Sequence, residues 1–129
     1  MASIFSKIIN GEIPSYKIAE SEHFYAFLDI APLAKGHTLV VPKKEVDYIF
    51  DVAPDELGEM MKFAQEIALK MDQVIPCERI GVAIIGLEVP HAHIHLVPLN
   101  NVSDIDFSRP KLSFTAEEMD KICNQIASA

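Results

Sequence analysis

With 129 residues, half of them hydrophobic, the chain has enough apolar material for one self-standing core and too much for a disordered protein. Lys and Arg total 11 against 19 Asp and Glu, a net charge of −8 that argues against binding nucleic acid through surplus positive charge but leaves a small anionic ligand open. Two widely spaced cysteines, Cys77 and Cys123, and the lack of any signal-peptide or membrane-span pattern lead to the expectation of a cytoplasmic protein with no membrane partner.

In chain order, Ser3 is placed to cap a short opening helix with Ile4, Phe5, Ile8 and Ile9 on its inner side, stopped at Asn10-Gly11. Residues 16–20 and 23–29 read as two strands around a turn at Ser21-Glu22. The loop 31–36 leads to a third strand, Thr38 to Val41, ending at Pro42. A long helix is predicted from Pro54 to Val74. Proline suits its first turn, Asp55 and Glu56 follow at the positive end of the helix dipole, and Leu57, Met60, Met61, Ala64, Ile67, Ala68 and Met71 make one apolar stripe. Residues 79–85 read as a fourth strand, continuous enough in apolar character to be covered on both faces; 90–98 is the fifth. The capping-box pattern Thr115-Ala116-Glu117-Glu118 opens a final helix, about 115–127, with Met119, Ile122, Cys123 and Ile126 inward. Short-turned strands with helices set apart predict a single α+β domain over residues 1–129, built on an antiparallel five-stranded sheet.

The fifth strand, Pro90-His91-Ala92-His93-Ile94-His95-Leu96-Val97-Pro98, holds three of the chain's five histidines on alternate residues. Extended backbone puts those imidazoles on one face and Ala92, Ile94 and Leu96 on the other, the outer rings about 13 Å apart. Three uses fit such a row. One imidazole acts as a nucleophile while its neighbours hold charge on a substrate. Alternatively, adjacent rings share a metal with ligands from elsewhere, His37 and Asp29 being the candidates, since the outer pair is too far apart. In the third, three structural histidines satisfy their hydrogen bonds within the fold.

The run from Pro90 to Pro98 resembles the signature of the histidine triad (HIT) family. Ile4 to Pro14 is similar to the opening of the family's Hint branch. Phe27-Leu28-Asp29-Ile30, Pro32, His37 and Leu39 to Lys44 match that branch in order and spacing, so the likeness spans about residues 3–99. The resemblance implies a hydrolase or transferase acting at the α-phosphate of a purine nucleoside monophosphate conjugate, such as an adenosine phosphoramidate. By the same resemblance His93 is the nucleophile that takes the nucleotidyl group, His95 contacts the α-phosphate, His91 supports His93, and His37 stands beside the triad. Asp29 takes the ribose hydroxyls, and Phe5, Ile8, Phe27, Ile30 and Leu39 wall the base. No cofactor or metal is implied, and the partners are the AMP-like ligand and a second copy of the chain in a homodimer.

Two departures bear on the reaction. The polar, glycine-rich loop of the branch is here the apolar run Val82 to Val89, with Gly86-Leu87 in place of Gly-Gln. Glu88 stands where relatives place a Ser or Thr that protonates the leaving group; as an anion it would repel phosphate. These changes leave open a nucleotide-binding module with vestigial catalysis, or a dinucleoside polyphosphate hydrolase. Residues 100–129 extend beyond the likeness, and only packing is read from their helix.

Overall fold

A computed structural model describes residues 2–129. In chain order they form α1 (Ile4–Ile9), β1 (Lys17–Glu20), β2 (Phe24–Leu28), β3 (Thr38–Pro42), α2 (Pro54–Val74), β4 (Arg79–Ala83), β5 (Ile94–Leu99) and α3 (Ala116–Ala127). Short 3-10 turns lie at Ile49–Asp51 and Val102–Ile105. The strands make one five-stranded antiparallel sheet in the order β1-β2-β3-β5-β4. This is the α+β architecture expected, in a single domain. Among the described residues no helix is long and apolar enough to cross a membrane.

The period-two pattern of the strands divides the apolar residues into two layers. Phe24, Ala26, Leu28, Val40, Ala92, Ile94 and Leu96 face α2 and α3 and form the main core with Met60, Phe63, Ile67, Met71, Met119, Ile122 and Ile126. The opposite face carries Tyr25, Phe27, Leu39 and Val41, covered by Phe5 and Ile8 of α1 in a smaller cluster. The helix ends follow from local chemistry. Ser3 caps α1 by accepting from the Ser6 N–H, and Thr115 and Glu118 form the predicted capping box at α3.

Four expectations require correction. Ile4 is half exposed, because a six-residue helix turns only Phe5 and Ile8 to the sheet. On α2, Met61 is exposed and Phe63 takes its place in the core, so the buried stripe is rotated from the one predicted. β4 ends at Ala83 and is not covered on both faces: it is the sheet's outer strand, and Val82, Ile84 and Ile85 are exposed. Finally, ladder pairing in β5 begins only at Ile94, so His91 and His93 precede the strand. The facing alternation survives nonetheless, with Ala92 and Ile94 in the main core and the imidazoles on the α1 face.

Candidate active site

The site is built on the α1 face where three neighbouring strands end, from side chains at odd-numbered positions. On β2, Tyr25 and Phe27 point to this face, and Asp29 continues the alternation just past the strand. Its N–H donates to the His37 carbonyl at 3.0 Å, which brings Asp29 beside the start of β3. Gly36, at φ +89°, makes the turn that starts β3, a conformation that L side chains seldom adopt. Leu39 is directly opposite His95 in the β3–β5 register, which sets His37 diagonal to His95.

The rings are buried and form a row. The centroids of His93 and His95 are 4.9 Å apart, and those of His37 and His95 5.2 Å. The Phe5 ring meets both His91 and His93 edge-on, at 5.7 and 5.0 Å. His37 and His91 are essentially inaccessible, while His93 and His95 keep 6% and 8% exposure. Desolvation therefore dominates their chemistry. Burial pushes the His37 imidazole down to about 4 and that of His95 to about 3, with smaller contributions from neighbouring charges, and it lowers His91 as well. These rings are neutral at physiological pH.

Neutrality fixes the protons, because each hydrogen bond then has one possible direction. The Leu33 N–H donates to His37 Nδ1 at 3.0 Å, so the His37 proton is on Nε2 and goes to His95 Nδ1, also at 3.0 Å. His95 accordingly carries its proton on Nε2. The Pro42 carbonyl can only accept, so His91 donates from Nε2 at 2.7 Å, and its Nδ1 accepts from the Ser3 hydroxyl at 2.7 Å. His93 Nδ1 donates to the His91 carbonyl at 2.7 Å, so in the neutral form of this ring the lone pair is on Nε2. The row thus presents one nucleophilic nitrogen on His93 and one N–H donor on His95.

Asp29 accepts from the Ala31 N–H at 2.9 Å, and its other oxygen lies 3.7 Å from His37 Nε2, whose proton is already committed to His95. That oxygen keeps capacity for further donors. Burial pushes the Asp29 carboxyl up, with Glu88 adding to the rise and His93 and Lys111 opposing it. Ligand atoms of Asp29, His37 and His95 lie within 4.8 Å of one another, so among the described residues these three form a group that could hold a metal ion. They include the two ligands that sequence alone had to seek outside the triad.

A cavity of about 350 Å³ opens beside His93 and Ala92 and is lined by Tyr48, Phe50, Ile84, Ile85 and Leu87 among others. The residues expected to wall a base lie elsewhere. Phe5, Ile8, Phe27 and Leu39 pack under α1, and Ile30 is 77% exposed at the rim beside Asp29. Glu88 is exposed. Sequence reading missed four contributors. Ser3 and Glu45 lock the first histidine: Glu45 accepts from the Ser3 N–H and the Ser6 hydroxyl, and these bonds hold its carboxyl down to about 2. Phe107 stacks edge-on against His95 at 4.6 Å, with Lys111 alongside it. Only Ser3 carried a signal, as a helix cap; the rest depend on long-range contacts.

A family model for the HIT domain matches residues 10–102. The chain is 41% identical over 99 residues to adenosine 5'-monophosphoramidase HNT1 of Saccharomyces cerevisiae, covering 75% of this chain and 62% of that protein, less than two thirds of its length. It is 31% identical over 134 residues to adenosine 5'-monophosphoramidase hnt1 of Schizosaccharomyces pombe, covering 99% of this chain and 98% of that one. Among solved structures, a Hit-like protein of Bartonella henselae superposes with a TM-score of 0.84 at 29% identity, covering 98% of this chain and 94% of the other.

Proposed function

The chain belongs to the HIT family, and on that premise we propose that it is a nucleotide hydrolase cleaving adenosine phosphoramidates and related AMP conjugates at the α-phosphorus. The observation that carries this reading is the 2.7 Å bond from His93 Nδ1 to the His91 carbonyl, which commits Nδ1 and leaves Nε2 as the reactive nitrogen of a ring that lines a cavity.

In this reading the His93 Nε2 pair forms a bond to the α-phosphorus as the bond to the leaving group breaks. The leaving group departs with its electron pair and takes up a proton. Water then attacks the nucleotidyl-imidazole, the phosphorus–nitrogen bond breaks, and AMP is released with His93 restored. His95 Nε2–H donates to a non-bridging oxygen as charge develops there, its direction set by the Leu33–His37–His95 chain. The free oxygen of Asp29 accepts from the ribose hydroxyls. Ile30, exposed at the rim beside Asp29, bounds the base, and His91 acts through the carbonyl that orients His93. Glu88, an exposed carboxylate close enough to raise Asp29, favours a leaving group without strong negative charge, an amine ahead of a polyphosphate.

The free edge of β4 supports a homodimer, and the free thiols Cys77 and Cys123 suit a reducing cytoplasm. The test of the reaction is hydrolysis of adenosine 5'-phosphoramidate in the presence of EDTA, with mass spectrometry of an AMP adduct. His93→Ala should lower turnover by about a thousandfold or more while the protein still binds AMP. Unchanged turnover in that variant rejects the assignment. AMP binding without turnover by the unaltered protein selects the binding-module reading instead.

A further inference from the structure

Between β5 and α3 the chain makes the 3-10 turn Val102–Ile105 and then runs, without further helix or strand, back across the His37–His95 side of the site, beyond the stretch matched by the family model. Its course is fixed at both ends. Asn101 and Asp104 form a capping box at the Val102–Ile105 turn, and Arg109 donates to the Ser103 carbonyl at 2.7 Å while pairing with Asp104 at 3.2 Å. At the far end the Leu112 N–H donates to the Pro32 carbonyl at 2.8 Å, tying the strap to the loop that follows Asp29. Between these anchors the Phe107 ring lies 4.6 Å from His95 and 6.2 Å from His37, centroid to centroid. The Lys111 ammonium is 5.9 Å from the centre of the Phe107 ring and donates to the Phe107 and Arg109 carbonyls.

We propose that Lys111 is a phosphate-binding residue of this site, delivered by the strap to the oxygen beside His95. The inference rests on the nucleotide reading above and names a recognition element outside the triad. Three observations support it. Asp29 and Glu88 make the neighbourhood acidic, and an acceptor-only carboxylate cannot hold a phosphate oxygen. Lys111 sits against the Phe107 ring, which itself lies on both His95 and His37, so its charge is carried to the His37–His95 side of the site. Its present acceptors are neutral carbonyls at an exposed position, and an anionic oxygen competes well for the same protons because charge-assisted bonds are about twice as strong. An ammonium has no acceptor capacity, so the ribose stays with Asp29 and the phosphate is the group Lys111 reads.

Calorimetry with AMP and with adenosine, on the unaltered protein, Lys111→Met and Lys111→Arg, tests this. The expected result is AMP affinity about tenfold weaker in Lys111→Met, adenosine affinity unchanged, and most of the AMP loss recovered in Lys111→Arg. Added salt should weaken AMP binding more steeply in the unaltered protein than in Lys111→Met. Equal AMP affinity in Lys111→Met overturns the proposal, and so does an equal loss for AMP and adenosine, which would make the strap merely structural. If the unaltered protein binds neither compound, the nucleotide reading itself fails and takes this inference with it.

Discussion

Ser3 shows how much of the site hangs on one small side chain. Its hydroxyl oxygen accepts from the Ser6 N–H, capping α1, and its proton goes to His91 Nδ1. His91 in turn donates to the Pro42 carbonyl and offers its own carbonyl to His93. Removing the hydroxyl therefore uncaps a helix, worth about 1 kcal/mol, and strands a buried ring nitrogen, worth about 1–3 kcal/mol. Ser3→Ala should lower the unfolding free energy by about 2–4 kcal/mol and reduce kcat more than KM, since the carbonyl that fixes the His93 tautomer is loosened. Ser3→Thr, which keeps the hydroxyl, should restore both. Urea titration and steady-state kinetics decide it, and an Ala variant as stable as the parent would remove Ser3 from the network.

At the level of elements, β4 is the part the sequence misrepresents. Its run of apolar residues imitates a strand buried on both faces, yet β5 separates it from the rest of the sheet and leaves Val82, Ile84 and Ile85 exposed. An exposed apolar edge is a template for pairing. A charged residue there, Val82→Glu or Ile84→Lys, should convert a homodimer into a monomer of 14.3 kDa by light scattering, with the fold intact by circular dichroism. An unaltered protein that already runs as a monomer ends the idea. What was legible elsewhere was local. Pro54, Asp55 and Glu56 mark the start of α2, Thr115 and Glu118 that of α3, and alternation placed the triad opposite Ala92 and Ile94. Register and strand order were not legible, because nothing in a strand's own residues says which neighbour it joins. The same holds for Glu45 and Lys111, which meet the histidines only through chain segments distant in sequence.

Across the whole molecule, the burial that keeps the rings neutral also makes folding depend on pH. An imidazole held at about 4 or 3 in the fold, as for His37 and His95, returns to about 6.5 when the chain unfolds. Above pH 6.5 both states are neutral and the stabilisation is complete. As pH falls below 6.5 the unfolded chain takes up protons that the folded rings refuse, and the loss continues until those rings charge near pH 4 and 3. Each such ring costs up to about 2 kcal/mol between pH 6.5 and 5, and His91, lowered in the same direction, adds to it. Urea midpoints measured from pH 7 to 5 should fall steadily, and His37→Gln should flatten the slope by removing one titrating ring. A midpoint that stays constant over that range would mean the rings are hydrated enough to charge in the folded state. Their protons would then no longer be assigned by the hydrogen bonds, and the lone pair on His93 would lose the neutral neighbours that hold it ready.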